Sequence, residues 1–386
     1  MNRNQSRRLL VILSALLLIY GFYMGGLQYV ISDISATFVS DGDKQGTGIG
    51  ILVSVPHVIS LFFPILMGAI SDKVGKKKIL LSFIVVFTIG CGICGGAPSM
   101  LVYLIGVTIV GIGHSVCESV STAVLADLDP AESAKNINIS QAFLSAGAVA
   151  GPVLVRWLMK ATGTDWRAMF IVSGIGFAAM FVFLLMAQFP AQQEARQEHK
   201  QRTKLPILGS VVLICCMVAM MLYISLEKGI GNFAESYFTK DFNRKDFGAY
   251  AISLYWGGMT IARFVLQLKS KNLGRTLSIH FLITALLFAG LRFSGNAYVS
   301  MAFCFLIGFA CAPLWSGLVA LATQRHPEHS GAVSGIMSSS GSVGSTVAPL
   351  MMGVVSDSVG IRNGFLMMAF LAVTGAALTL FTNKRK

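Results

Sequence analysis

The stretch GAISDKVGKKKIL, residues 68–80, holds one acid and four lysines in a chain that is otherwise poor in charge. Only 12% of the 386 residues are charged and 54% are hydrophobic, whereas a soluble domain has about 25% charged residues. A composition of this kind is typical of proteins in a lipid bilayer. We therefore expect the stretch to be an aqueous loop between two membrane spans.

Charge-free runs recur on both sides of this loop at about the 20-residue length that a helix needs to cross a bilayer. Longer runs and two weaker spans raise the count to twelve. Lipid offers no partner to unpaired backbone groups, so helices are expected and sheets are not. The sequence predicts an all-α membrane protein with twelve transmembrane helices. Six runs fit one span each: residues 9–32, 45–71, 136–155, 168–193, 205–226 and 363–383.

Lysine and arginine predict the orientation of these helices. With the N-terminus inside, the inner segments hold roughly twice as many of these residues as the outer segments, which fits the positive-inside rule. The net charge of +13 is thus spread along one side of the membrane, and we do not expect a nucleic-acid partner. Both termini are predicted to be cytoplasmic, in a multi-pass protein of the cytoplasmic (inner) membrane.

The chain repeats itself at half its length. Pro130 and Pro327 are 197 residues apart, and each is followed 22 residues later by another proline, Pro152 or Pro349. We predict two parallel six-helix halves, with a solute site between them near the midplane that is reached by rocking one half against the other. The expected domains are an N-terminal bundle at 1–192, a cytoplasmic linker at 193–206 and a C-terminal bundle at 207–386.

Small residues and prolines recur in the fifth and eleventh predicted helices. They allow helix backbones to approach closely in lipid, and the same helices could bend or slide during rocking. Ordinary packing and a hinge role both remain open. The candidate residues are Gly147, Gly151, Pro152, Gly344 and Pro349.

The opening stretch carries a recognisable loop pattern, GxxxDKxGKKK, between the second and third predicted helices. It resembles the G-x-x-x-D-[RK]-x-G-x-[RK]-[RK] signature of the major facilitator superfamily. The resemblance covers the whole chain when the twelve spans and the half-length repeat are included. It implies a secondary transporter whose gating loop contains Gly68, Asp72, Lys73, Gly75, Lys77 and Lys78.

The charged loop can act as a latch. Gly75 permits a tight turn, and Asp72 could lie against the positive N-terminus of the eleventh helix near Ser330. The lysines would pair with acids of neighbouring inner loops, or would only enforce topology. The acids considered are Asp127, Asp129 and Glu132.

Four further stretches resemble the fucose and glucose permease branch, whose members are proton-coupled sugar symporters: GIGHSVCESVSTAV, SLEKGIGNF, SLYWGGMTIARF and FLIGFACAPLW. The resemblance implies functional roles for Glu118, Glu227, Trp256 and Arg263, with Arg263 also standing in the degenerate second copy of the gating loop. One feature departs from that branch, because the first predicted helix has no acid before Asp33 near its end.

Ionisable groups within membrane spans are functional candidates by default. Glu118 lies one turn after His114 on the same predicted helix face, and we expect it to bind protons or solute, with a structural hydrogen bond as the alternative. The set of His114, Cys117 and Glu118 could also hold a metal, but no second cluster supports one, so no metal is expected. Glu227 is followed by GIGN, where glycines could unwind the helix, with Asn232 nearby.

Flat aromatic rings cover the apolar face of a sugar, and amides or acids bind its hydroxyls. Trp256, Trp315, Tyr23 and Gln28 are the candidates for such contacts. Trp315 lies 197 residues after Glu118, so we expect the two to line one cavity.

We thus predict a proton-coupled symporter of a small, sugar-like polar solute that acts by alternating access, as a monomer in contact with lipid. A proton-coupled efflux antiporter of drugs or metabolites is the alternative, and a non-transporting receptor is a third possibility. No cofactor is expected. Neither a nucleotide-binding loop nor a nucleophile motif occurs in the sequence, so we do not expect an enzyme.

Overall fold

The computed structural model describes residues 3–39, 44–60, 62–128, 133–189, 210–266, 272–325 and 330–384. Within these ranges the chain forms thirteen α-helices and no β-strand, which confirms the predicted all-α fold. The helices are α1 (Arg3–Phe38), α2 (Gln45–Ser60), α3 (Phe63–Val74), α4 (Lys76–Gly95), α5 (Met100–Leu128), α6 (Ser133–Thr162), α7 (Arg167–Met186), α8 (Val211–Phe242), α9 (Lys245–Val265), α10 (Leu273–Phe293), α11 (Ala297–Arg325), α12 (Ser330–Val359) and α13 (Ile361–Lys384).

The second predicted span is formed by α2 and α3 in succession, so twelve spans correspond to thirteen helices. Pro56 lies inside α2, where it removes one backbone hydrogen bond. Another proline lies in the first turn of α3, a position at which the missing N–H has no intrahelical acceptor. Two short helices therefore replace one long helix here.

Nine of the helices in the described ranges are by themselves long and apolar enough to cross a membrane. The other four helices do not meet this criterion, each for a reason visible in its sequence. α2 and α3 are short, α9 carries charged residues in its first and last turns, and α12 is rich in serine and glycine.

The helices pack into two compact units. The first contains Met1–Val30 and Val55–Lys200, and the second contains Ile31–Ser54 and Gln201–Lys386. The C-terminal part of α1 and the N-terminal part of α2 thus group with the second unit. The predicted division at 193–206 falls on residues outside the described ranges and stays a prediction.

Each unit has its own packing pattern. In the first unit α4 packs against both α5 and α7, and α3 packs against α5. In the second unit α10 packs against α13, α9 against α11, and α8 against both α12 and α13. The acids of interest lie on α5 in the first unit and on α8 in the second.

Close backbone approach in the first unit depends on glycines of α6. A Cβ atom at Gly147 would collide with the carbonyl oxygen of Leu18 in α1, and one at Gly151 would lie 2.5 Å from the carbonyl oxygen of Phe22. Pro152 is buried within α6 directly after these glycines. Small residues therefore let α1 and α6 touch along their backbones.

The second unit has the matching arrangement. A Cβ atom at Gly344 of α12 would collide with the carbonyl oxygen of Met221 in α8. The carbonyl oxygen of Pro349, a buried residue within α12, lies 2.7 Å from where a Cβ atom of Gly50 in α2 would be. Gly147 and Gly344, which the repeat relates, thus meet a helix backbone in both units.

Candidate functional site

In the first unit, α5 carries Glu118 one turn after His114. The imidazole of His114 stacks on the ring of Tyr20 in α1, with ring centroids 4.7 Å apart and an angle of 20° between the planes. Glu118 itself is partly exposed. The spacing places an acid and an imidazole on one helix face, and both groups can exchange protons.

Two further candidates, Tyr23 and Gln28, lie on α1 and are almost completely buried at 3% exposure each. The Tyr23 ring meets Phe87 edge-on at 5.3 Å and lies 6.2 Å from His114, measured between ring centroids. Tyr23 is therefore part of an aromatic cluster that holds the His114 ring, and in this conformation it presents little surface to a solute.

In the second unit, α8 carries a hydrogen-bonded acid. The Tyr223 hydroxyl donates to Glu227 Oε2 at 2.9 Å, and Lys228 Nζ lies 3.7 Å from Glu227 Oε1. The side chains of Glu227 and Lys228 are only 12% and 15% exposed. Both are buried although they are neighbours in sequence, because the long lysine side chain reaches back to the carboxylate.

The expectation that GIGN unwinds the helix is wrong. α8 is continuous from Val211 to Phe242, and the amide of Asn232 donates to the carbonyl oxygen of Lys228 at 3.0 Å. A Cβ atom at Gly229 would lie 2.7 Å from Cε of Met368 in α13. This glycine thus provides space for a neighbouring side chain while the helix stays intact.

Sequence reasoning missed two tyrosines beside Glu227. Tyr223 lies four residues earlier on α8, a spacing that could have revealed the contact. Tyr255 of α9 interacts electrostatically with Glu227. Its buried hydroxyl has no hydrogen-bond partner among the described residues, so it is a polar atom that a ligand could satisfy. No local pattern pairs Tyr255 with α8.

The remaining candidates of the second unit differ in exposure. Trp256 is 2% exposed, and its ring meets that of Tyr255 at 5.5 Å between centroids. Trp315 of α11 is 44% exposed. Arg263 lies in the last turn of α9, is exposed, and interacts electrostatically with Tyr223. The expectation that Trp315 and Glu118 line one cavity stays a prediction.

The predicted gating loop is a sharp connection between α3 and α4. Gly75 has φ 108° and ψ 127°, a backbone conformation that favours glycine, and its N–H donates to the carbonyl oxygen of Ser71 at 3.0 Å. The surroundings of Gly68 and the side chains of Asp72, Lys73 and Ser330 lie outside the described part of the structure. The Asp72 latch therefore stays a prediction, as does a gating role for exposed Lys78.

One lysine of the loop has partners that the sequence did not predict. Lys77 Nζ donates to the carbonyl oxygens of Leu185 at 2.8 Å and Ala187 at 2.7 Å, at the end of α7. The predicted pairing of the loop lysines with acids of neighbouring loops stays a prediction, because the side chains of those acids lie outside the described part of the structure. The last carbonyls of a helix lack intrahelical donors and carry partial negative charge, so an ammonium group stabilises them.

A second acid of α8, Glu235, was missed altogether. It is 1% exposed. The hydroxyl of Ser32 in α1 donates a hydrogen bond to Oε2, and the hydroxyl of Thr239 donates to Oε1 at 2.9 Å. Next to Ser32, Asp33 forms an ion pair with Lys245 at the start of α9. The only sequence signal was an acid inside the apolar run GNFAESYF.

An acid of α12 caps the N-terminus of α2. Asp357 Oδ1 accepts a hydrogen bond from the backbone N–H of Gly46 at 2.8 Å, and Oδ2 accepts one from the N–H of Thr47 at 2.6 Å. The carboxylate thus satisfies two donors that lack intrahelical acceptors and meets the positive end of the helix dipole.

No cluster of three histidine, cysteine or acidic side chains that could hold a metal occurs among the described residues. Cys117, which the sequence had grouped with His114 and Glu118, is buried and directs its thiol towards the carbonyl oxygen of Leu80 at 4.0 Å. The acids, the His114 imidazole and the tyrosine hydroxyls described above can exchange protons and form hydrogen bonds.

Curated relatives of this chain are transporters of several kinds. An uncharacterized MFS-type transporter of Bacillus subtilis is 21% identical over 93% of both chains. A glucose/galactose transporter of Brucella abortus is 21% identical over 78% of this chain and 77% of its own. A multidrug resistance protein B homolog of Mycobacterium tuberculosis is 27% identical over 44% of this chain and 31% of its own.

Solved structures share the fold at low sequence identity. A bacterial homolog of the human lysosomal transporter Spinster, in an inward-facing and occupied conformation, has a TM-score of 0.83 at 13% identity, covering 100% of this chain and 98% of its own. The Escherichia coli fucose:proton symporter has a TM-score of 0.64 at 15% identity, covering 97% and 98%.

The family profile of the Major Facilitator Superfamily matches residues 9–276 and 216–386, which together include nearly the whole chain. This agrees with the helical fold, the membrane-spanning helices and the loop pattern at 68–78. The predicted superfamily is confirmed. The chain belongs to the Major Facilitator Superfamily and is a multi-pass membrane transporter rather than an enzyme.

Proposed function

We propose that the chain is a proton-coupled symporter of a small, sugar-like polar solute, acting by alternating access. The observation that carries this proposal is the pairing of acids with aromatic and hydroxyl groups inside the spans. Glu118 lies one turn from the stacked His114 and Tyr20 rings, and Glu227 accepts a hydrogen bond from Tyr223. Such acids can alternate between protonated and ionised states during transport.

The two acids have different proposed roles. Glu118 is partly exposed, so an aqueous cavity can deliver a proton to it, and we assign it to proton coupling. Glu227 has a hydroxyl donor and an ammonium neighbour, and the unpaired Tyr255 hydroxyl lies in the same electrostatic environment. A polyol that offers several hydroxyls fits this mixture of donors and acceptors, so we assign Glu227, Tyr255, Trp256 and Asn232 to solute binding.

The relatives support the same solute class. One relative, aligned over 78% of this chain, is described as a glucose/galactose transporter, and a structure with the same fold is a fucose:proton symporter. We further propose that the protein is a monomer in the cytoplasmic membrane with both termini inside. The excess of lysine and arginine in the segments on that side supports this orientation.

Uptake into proteoliposomes tests the coupling. A thermal-shift screen of sugars, nucleosides, amino acids and organic acids on purified protein would first identify a solute, since a bound ligand stabilises the folded state. With that solute and an imposed pH gradient, we expect wild type to accumulate it up to about tenfold per pH unit for one proton per solute. Glu118→Gln should equilibrate the solute without accumulation, and unchanged accumulation would refute the role of Glu118.

Efflux by proton antiport is a second candidate. A multidrug resistance homolog matches part of the chain, and the glycines of SAGAVAGP bring α6 against α1. This candidate predicts that cells expressing the protein lose lipophilic cationic dyes faster than control cells. A flat result across many such dyes, together with solute uptake, would exclude it.

A further inference from the structure

Glu235 is a buried acid to which the proposed function gives no role. It lies on α8 eight residues after Glu227, about 12 Å further along the helix at about 1.5 Å per residue. With 1% of its surface exposed, the carboxylate is costly to bury unless partners or a bound proton compensate its charge. The neighbouring side chains therefore determine whether Glu235 is stable as a carboxylate or binds a proton.

Three helices enclose this carboxyl group. Both oxygens accept hydroxyl hydrogen bonds, one from Ser32 of α1 and one from Thr239, a turn later on α8. α9 covers the remaining side, because a Cβ atom at Gly248 would lie only 2.7 Å from Cα of Glu235. The carboxyl group thus links α1 to α8 through the Ser32 hydrogen bond and is shielded from bulk water.

The charges around Glu235 do not balance. Asp33 and Lys245 both interact electrostatically with it, and these two form an ion pair with each other. Two acids therefore share one cation. Asp33 Oδ2 is also buried without a hydrogen-bond partner among the described residues. The other acid at this end of α8, Asp241, is paired with Arg362 at 2.5 Å.

We propose that Glu235 is a proton-binding residue of the transport cycle, with Asp33 and Lys245 setting the charge around it. The proposal rests on the proposed proton coupling and adds a second proton site to it. When the proton is bound, the cluster of Glu235, Asp33 and Lys245 is neutral. When the proton leaves to water, the cluster carries one net negative charge, which the Ser32 and Thr239 hydroxyls stabilise.

Proton occupancy changes the contact between α1 and α8. The ionised carboxylate accepts from both hydroxyls, whereas the protonated group carries an O–H of its own, so one hydroxyl must turn and accept instead. When the proton is on Oε2, the Ser32 hydroxyl is the one that turns, and because Ser32 belongs to α1, this changes how residues 31–38 are held against α8 and α9. A proton can therefore bias the position of this segment.

Infrared difference spectroscopy on the purified full-length protein tests proton binding directly, with no solute. We expect a titrating carbonyl band of a buried protonated carboxyl in wild type, its complete loss in Glu235→Gln, and its retention with a shift in Glu235→Asp. Asp241→Asn is the matched control, an acid on the same helix outside the cluster, and should keep the band. An unchanged band in Glu235→Gln, or no titrating band in wild type, would overturn the proposal.

Transport separates this proposal from the proposed function. In proteoliposomes with the solute from the thermal-shift screen, we expect Glu235→Gln to lose pH-driven accumulation but to keep exchange of labelled for unlabelled solute. If wild type shows no pH-driven accumulation while the infrared band is lost in Glu235→Gln, the proton site stands and the symport proposal fails. If Glu235→Gln accumulates solute as wild type does, the role of Glu235 in the cycle fails.

Discussion

Gly147→Ala tests whether close contact between α1 and α6 depends on the absence of a side chain. The added Cβ would collide with the carbonyl oxygen of Leu18 and lie 2.8 Å from the amide nitrogen of Phe22. Both are backbone atoms, so the new methyl group cannot be accommodated by a rotamer change. The two helices must move apart, at a typical overpacking cost of about 1–3 kcal/mol.

A matched control separates this cost from helix propensity. Alanine is favoured over glycine by about 1 kcal/mol within a helix, and Gly92 of α4 has open space where its Cβ would lie. We therefore expect Gly92→Ala to raise the thermal unfolding temperature in detergent and Gly147→Ala to lower it. Gly344→Ala should lower it as well, because its Cβ would meet the Met221 carbonyl oxygen. Equal stability of Gly147→Ala and Gly92→Ala would refute the reasoning.

Two further predictions concern helix ends. Asp357→Ala removes the acceptor for two N–H groups at the start of α2, so we expect the free energy of unfolding to fall by about 1–2 kcal/mol and hydrogen exchange in the first turn of α2 to become faster. Asp357→Asn should lose less stability. Unchanged hydrogen exchange in Asp357→Ala would contradict the cap. Lys77→Met removes the donor to the end of α7 and should cost up to about 1 kcal/mol of unfolding free energy, whereas Lys78→Met, at an exposed position, should cost almost nothing. Equal stability of the two lysine variants would count against the Lys77 contact.

Features that depend on the length and charge of a segment could be read from the sequence. Charge-free runs predicted the helices because a bilayer demands both length and internal hydrogen bonding. The division of the second span into α2 and α3 was missed, since both halves are apolar and only Pro56 and the proline in the first turn of α3 mark the break.

Features that depend on contacts between distant segments could not be predicted. The glycines of GIGN suggested a place where α8 could unwind, yet the helix is continuous and Gly229 makes room for the Met368 side chain. The contacts of Glu235 with Ser32 and of Lys245 with Asp33 join residues 203 and 212 positions apart. No local spacing pairs such residues. The sequence analysis therefore identified Glu118 and Glu227 as candidates and did not identify Glu235.

Proton movement during solute entry tests the central claim most directly. Weakly buffered proteoliposomes containing wild-type protein would receive the solute from the thermal-shift screen while the external pH is recorded. A proton-coupled symporter carries protons inward with the solute, so we predict a rise in external pH that Glu118→Gln abolishes. Solute entry with no pH change, or with a fall in external pH, would contradict the account.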